Sequence, residues 1–399
     1  MEVVSRVRSE GPRSLISQRV KQIPPSGIRK FFDLLASMQG VISLGVGEPD
    51  FVTPWHIREA GIYAIEKGKT MYTSNYGLLE LRQALAQYLE ARYGLFYDPR
   101  SELLITVGVS EAVDLALRAI LDPGDEVLVP DPAYVSYGPC VTLAGGVHVP
   151  VPTGIEHDFK LRPVDMEARI TERTKAIVLG FPSNPTGATM SRKELEGVAE
   201  VACRHDLMVV SDEIYERLVY EGEHTCFPTL PEMRNRTILV GGFSKAYAMT
   251  GWRVGFAAAR ADVLEAMMKI HQYIMMCAPT PAQYAALEAL RHGEADVAEM
   301  VADYDRRRRV MVKGLNDIGL TCFNPRGAFY AFPSIRIRGL SSEEFAEKLL
   351  MEEKVAVVPG TAFGECGEGH VRCCYATSLA EIEEALVRMG RFVEKYLKE

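Results

Sequence analysis

Between about residues 100 and 260, short apolar runs rich in β-branched residues alternate with longer stretches whose apolar positions recur at helical spacing. The runs are Leu103–Val107, Glu126–Val129, Val147–Val151, Lys175–Leu179, Leu207–Val210, Thr237–Val240 and Val254–Ala258. Their length and lack of polar alternation predict strands buried on both faces. The intervening segments read as helices. Ser110–Leu121 has Ser110 as its expected N-cap, and Ser191–His205 opens on a Ser191/Glu194 capping box. Strands alternating with helices predict an α/β fold with a mostly parallel central sheet covered by helices on both faces.

Outside this region the pattern shifts to charged amphipathic helices, expected at Ser26–Met38, Val297–Ile318, Ser341–Glu353 and Leu379–Lys398. A more apolar helix at Ala282–Leu290, after Pro279 and Pro281, would bridge the two regions. The expected organisation is a large domain over residues 49–289 and a smaller α+β domain built from residues 1–48 and 290–399. Arg306 to Arg309 form one basic run, but Asp303 and Asp305 precede it within a helical pattern, so a solvated or salt-bridged helix face is expected.

Composition narrows the partners. The 399 residues are 47% hydrophobic, enough for a large core, and the formal net charge of −8 provides no basic field for nucleic acid or an anionic membrane. The eight cysteines show no Cys-x-x-Cys pair and read as free thiols. With no apolar leader segment in residues 1–11 and no run of membrane-spanning length, a cytoplasmic protein is expected.

Candidate chemistry gathers after the strands. Thr237–Gly241 runs into Gly242-Phe243-Ser244-Lys245, and Arg253 follows eight residues after the lysine. A lysine at the mouth of a buried strand is costly unless neutralised or used covalently, and a Schiff base does both. Arg253 suits bidentate recognition of a phosphate, which Gly242 and Ser244 would also approach. Leu207–Val210 leads into Asp212 and Tyr215. In an open α/β sheet both would face the crevice beyond the strand ends, as Lys245 would. The Thr106–Ala112 segment passes through Gly108, Val109 and Ser110 into a helix, an arrangement that binds anions through free N–H groups. Asn184 lies in the turn Phe181–Gly187, and Tyr134 follows the strand at Glu126–Pro130.

These strings, with Gly47-Glu48-Pro49-Asp50-Phe51 and His370-Val371-Arg372, resemble in order and spacing the class I aminotransferases, the aspartate aminotransferase family of fold type I pyridoxal-phosphate (PLP) enzymes. The resemblance runs from about residue 25 to the C-terminus and is strongest to bacterial and archaeal aspartate and aromatic aminotransferases. It implies Lys245 as the Schiff-base lysine and proton shuttle, and Asp212 as partner of the pyridine nitrogen. Tyr215 and Asn184 would serve the ring oxygen, with Tyr134 over the ring. Gly108, Val109, Ser110, Ser244 and Arg253 would hold the phosphate, joined by Tyr72 from a second subunit of a homodimer. Arg372, with the Gly47 backbone, would clamp the substrate α-carboxylate.

The implied activity is transfer of an amino group from an L-amino acid to a 2-oxo acid such as 2-oxoglutarate by a ping-pong mechanism. A C–S β-lyase on the same scaffold is the alternative. Ser110 stands where related bacterial enzymes carry a lysine, and Gln272–Cys277 contains no arginine, which favours aromatic or hydrophobic donors over aspartate. Gly242 departs from relatives with a serine there. No metal-ligand spacing is present, and Gly68-Lys69-Thr70 lacks the first glycine of a nucleotide-binding loop.

Overall fold

The computed structural model describes residues 15–25, 38–335 and 339–398; the helix expected at Ser26–Met38 lies almost wholly outside them. After a short strand β1 (Ile42–Ser43), all seven apolar runs form strands: β2 (Leu103–Thr106), β3 (Glu126–Asp131), β4 (Val147–Pro152), β5 (Thr174–Gly180), β6 (Met208–Asp212), β7 (Thr237–Gly242) and β8 (Gly255–Ala258). They make one sheet in the order β2-β8-β7-β6-β5-β3-β4. Pairing is parallel from β4 through β7, and β8 runs antiparallel to both its neighbours.

Alternate residues of each strand enter opposite cores, as the two-residue period of a strand requires. Val127, Val178, Val210, Ile238 and Val240 pack with helices Gly108–Ile120 and Ala261–Ile274 on one face. Leu128, Ile177, Leu179 and Val209 pack with helix Arg192–Arg204 on the other. That helix begins on the expected capping box: Ser191 accepts from the Glu194 N–H while Glu194 reaches back to the Ser191 N–H, an arrangement worth about 1 kcal/mol. Ser341 and Glu344 form a second box at helix Ser342–Glu353.

The remaining strands are β9 (Tyr330–Ala331), β10 (Val355–Ala356), β11 (Val358–Pro359) and β12 (Val371–Cys374). β11, β12 and β9 form a three-stranded sheet, and β1 pairs with β10, tying an early segment to a late one. Helices Glu294–Asp317 and Leu379–Lys398 pack together beside them. The basic run lies on the first of these helices and is salt-bridged rather than simply solvated. Arg307 and Arg308 are buried, Arg307 between Asp50 and Asp303, and Arg308 against Asp305 and Glu221.

One helix junction carries a pH-sensitive contact. His56 places Nδ1 2.9 Å from Glu288 and Nε2 3.0 Å from Asp296. A neutral imidazole has a single N–H, so only the imidazolium serves both carboxylates. Burial opposes that charge, but Asp296 and Glu288 outweigh it and raise the pKa above 6.5. The stabilisation is therefore complete below the unfolded value and lost as pH rises through the folded one. The melting-temperature gap between wild type and His56→Gln is expected to be widest in acid and to close at alkaline pH; a constant gap would contradict this.

Candidate functional site

The register sets the site. Gly180 of β5 pairs with Asp212 of β6, and Asp212 with Val240 of β7, so the carboxyl ends of adjacent parallel strands open at one edge. The chain also reverses its direction of travel across the sheet here, leaving β3 for the outer β4 before returning to β5, and such switch points leave a crevice. A cavity of about 350 Å³ occupies it. Of the residues singled out in the sequence, Gly47, Val109, Ser110, Tyr134, Asn184, Asp212, Tyr215, Ser244, Lys245, Arg253 and Arg372 line it.

Lys245 follows β7 and donates from Nζ to the Gly47 carbonyl at 2.6 Å. Burial, reinforced by the positive charge of Arg372, pushes the amine down to about 8. A usable fraction is thus neutral and nucleophilic near neutral pH. Asp212, at the end of β6, is buried and accepts from the Tyr137 hydroxyl at 2.8 Å and the Ile214 N–H at 3.1 Å. Burial pushes its carboxyl up to about 6. A cation apposed to it inside the cavity would favour the ionised form.

Tyr215 shares a 2.7 Å hydrogen bond with Tyr330, and burial raises both phenols, keeping them protonated donors. Arg372 reaches in from β12 with Nη1 donating to Asn184 Oδ1 at 2.8 Å and Nη2 to the Gly45 carbonyl at 2.6 Å. Its guanidinium lies over the rings of Tyr330 and Phe363, 4.5 and 4.8 Å from their centroids. With its oxygen taken by Arg372, Asn184 keeps its amide N–H groups to donate.

The third cation, Arg253, donates Nη1 to the Thr250 carbonyl at 2.9 Å. Its backbone is left-handed at φ 54, a strained conformation worth about 1–2 kcal/mol. Gly108 lies directly behind its guanidinium. At φ +74, with a Cβ only 2.6 Å from Arg253 Nη2, this position accepts glycine alone. Helix Gly108–Ile120 starts here, so the N-cap is Val107 and not Ser110, which falls in the first turn. By position the N–H groups of Gly108, Val109 and Ser110 have no intrahelical acceptor.

Two expectations shift in place. Gly242 does not line the cavity; a Cβ there would lie 3.1 Å from the Gly255 Cα and from Val109 Cγ2, so glycine permits close strand packing. Tyr72 is 77% exposed and apart from the cavity of its own chain. Tyr137, Tyr330 and Gly45 are site residues that the sequence reading missed. Tyr137 was findable as a second tyrosine three residues after Tyr134, one helical turn on; the ring centroids are 5.5 Å apart. Tyr330 sits in the aromatic run Phe329-Tyr330-Ala331-Phe332, which reads as core.

Lys245, Arg253 and Arg372 have no carboxylate within ion-pair distance among the described residues, although all three face one cavity. Asp212 and Glu48 line the same cavity without pairing with them, so the enclosed charges of Lys245 and Arg372 are costly until an anionic ligand completes them, while Arg253 is exposed and open to such a ligand. A phosphate at Arg253, a ring cation at Asp212 and a carbonyl carbon at Lys245 match PLP group by group.

The family model for class I and II aminotransferases matches residues 39–389. The chain belongs to this family. An aspartate aminotransferase of Pyrococcus abyssi is 48% identical over 96% of this chain and 98% of its own length. An aromatic-amino-acid aminotransferase of Thermococcus litoralis is 47% identical over the same shares. The structure of the Thermus thermophilus aspartate aminotransferase with maleate superposes with a TM-score of 0.90, at 42% identity over 95% of this chain and all of that one. The aminotransferase is thus PLP-dependent and acts on small molecules, on the fold type I architecture expected. The β-lyase alternative is not favoured, since these relatives are named as aminotransferases. Among the described residues no helix is long and apolar enough to cross a membrane.

Proposed function

We propose that this aminotransferase moves the amino group of an aromatic or hydrophobic L-amino acid to a 2-oxo acid such as 2-oxoglutarate, by ping-pong kinetics. One observation carries the reading: the cavity has three cations and each has a task. Lys245 bonds the cofactor, Arg253 holds its phosphate and Arg372 holds the substrate α-carboxylate. Among the described residues no further cation lines the cavity to grip a side-chain carboxylate, and Val46, Val109, Val113 and Ile214 line it with tyrosines. Aspartate is the competing donor, and overall identity does not separate the two, because the aspartate and aromatic relatives lie within one percentage point.

PLP, when bound, supplies the electron sink that stabilises the charge left by the departing α-proton. Asp212, oriented by Tyr137, keeps the ring nitrogen protonated. Tyr215 and Asn184 donate to the ring oxygen, and Tyr134 flanks the ring. Ser244 and the N–H groups of Gly108, Val109 and Ser110 join Arg253 at the phosphate. With PLP bound, Lys245 would take the substrate α-proton at Nζ as a general base and deliver it to the cofactor carbon as an acid, which its depressed pKa permits in both directions. Arg372 and the Gly47 backbone fix the substrate so that the α-proton faces Lys245.

Amino donors assayed against 2-oxoglutarate should give kcat/KM for phenylalanine or tyrosine about tenfold or more above aspartate. The reverse order would overturn the substrate assignment while leaving the family intact.

The working unit on this reading is a homodimer. Trp55, Ile62 and Ile65 of helix Trp55–Glu66, with Met71, Tyr72, Tyr273 and Ile274, are exposed. Two of these segments are joined by hydrogen bonds from Asn75 to the Met276 carbonyl and from Thr280 to the Met71 carbonyl. Apolar exposure on this scale marks a protein interface. With Tyr72 completing the neighbour's phosphate site, mixing inactive Tyr72→Ala and Lys245→Ala chains should regenerate activity through hybrids holding one intact site; no recovery would contradict the shared site. The domain division at about residues 49 and 290 fits the same reading, since the seven-stranded sheet falls within one part and β9 to β12 within the other.

A further inference from the structure

We propose that Glu111 and His271 form a positioning pair that locks the phosphate-binding turn at Val107–Ser110 to the segment bearing the exposed subunit face, so that retention of the cofactor phosphate depends on them. The inference rests on the phosphate role proposed for that turn.

Both side chains are buried, Glu111 at 5% exposure and His271 at 0%. Their contact joins helix Gly108–Ile120 to helix Ala261–Ile274, with Glu111 Oε1 2.7 Å from His271 Nδ1. A carboxylate only accepts, so Nδ1 carries the proton. The other oxygen, Oε2, accepts from the Val107 N–H at 2.5 Å. Val107 is the N-cap of the helix, and its N–H is thereby turned to Glu111, leaving those of Gly108, Val109 and Ser110 for a ligand. The carboxylate thus fixes the backbone on which the left-handed Gly108 and the guanidinium of Arg253 meet.

His271 extends the connection. Its carbonyl accepts from the N–H groups of Met275 at 2.9 Å and Met276 at 3.1 Å, closing the helix end. The Met276 carbonyl in turn accepts from Asn75 Nδ2 at 2.8 Å, three residues from Tyr72. A path of hydrogen bonds and covalent links therefore runs from the phosphate turn to the exposed loop that carries Tyr72. An apolar pair would fill the same space between the helices without desolvating a charge. What it would lack is an acceptor for the half-buried N–H of Val107, which would then no longer be held in place.

The test compares Glu111→Ala, Glu111→Gln, Glu111→Met and His271→Leu with wild type in two assays. One is the rate of cofactor loss from holoenzyme, read from its visible absorbance. The other is the rise in melting temperature that inorganic phosphate produces in apoenzyme. Glu111→Ala is expected to lose cofactor roughly tenfold faster or more, the effect of one charged hydrogen bond, and to lose most of the phosphate-induced rise. Glu111→Gln retains an acceptor for Val107 and should recover most of both, whereas Glu111→Met, which fills the space without an acceptor, should not. His271→Leu, which fills the space without a donor for Glu111, should fall between Glu111→Ala and Glu111→Gln and decides the matter if Glu111→Ala does not fold. Wild-type values in both assays for a folded Glu111→Ala or His271→Leu would overturn the proposal. Ser110→Ala and Arg253→Gln separate the two levels. If these also leave the phosphate response intact, the turn does not bind phosphate; if they abolish it while the Glu111 and His271 variants do not, the positioning pair alone fails.

Discussion

Lys245→Ala should lose transamination by on the order of ten-thousandfold or more, because one side chain provides both the covalent attachment and the general base. The visible absorbance of the lysine-bound cofactor should vanish with it. Lys245→Arg is the sharper variant: it keeps a cation in place, but a guanidinium stays protonated at any accessible pH and can neither attack nor accept a proton. The amine owes its fitness to burial and to Arg372, which together bring it to about 8. Equal loss in both variants would show that chemistry, and not charge, is what the position supplies. Turnover surviving in either, measured by oxo-acid-dependent disappearance of the donor, would reject the assignment.

The second large effect is expected at Asp212. Asp212→Asn preserves shape: its amide oxygen can still accept from the Ile214 N–H, the contact Oδ1 makes at 3.1 Å, while the amide nitrogen takes the place of Oδ2 and donates to the Tyr137 hydroxyl, 2.8 Å away. What disappears is the negative charge opposite the ring nitrogen. Removing one partner of a buried ion pair costs about 3–5 kcal/mol, so kcat should drop by on the order of a hundred- to a thousandfold. Cofactor should still bind through Lys245 and the phosphate contacts. A kcat close to wild type in cofactor-loaded Asp212→Asn would show that Asp212 does not sustain the electron sink.

How far the sequence reached depended on whether an interaction was local. All seven strands were visible as apolar runs, because burial on both faces leaves a signal within four or five residues; β4 departs from the expected burial, since it lies at a sheet edge and only Val151 is buried. The capping boxes at Ser191 and Ser341 are likewise complete within four positions; only the first was read in advance. The start of helix Gly108–Ile120 was misplaced because Gly108 is itself the first helical residue, at φ +74 with Arg253 packed against it, and no serine cap is used. Tyr137 and Tyr330 escaped because their partners, Asp212 and Tyr215, lie 75 and 115 residues away. The burial of Arg307 and Arg308 was hidden for the same reason, since Asp50 and Glu221 reach them from distant segments.

The account stands or falls on which nitrogen the cofactor bonds. Borohydride reduction of cofactor-loaded protein, followed by peptide mass spectrometry, should place the reduced pyridoxyl group on Lys245 alone, with one equivalent per chain. Labelling at another lysine, or none, would contradict it.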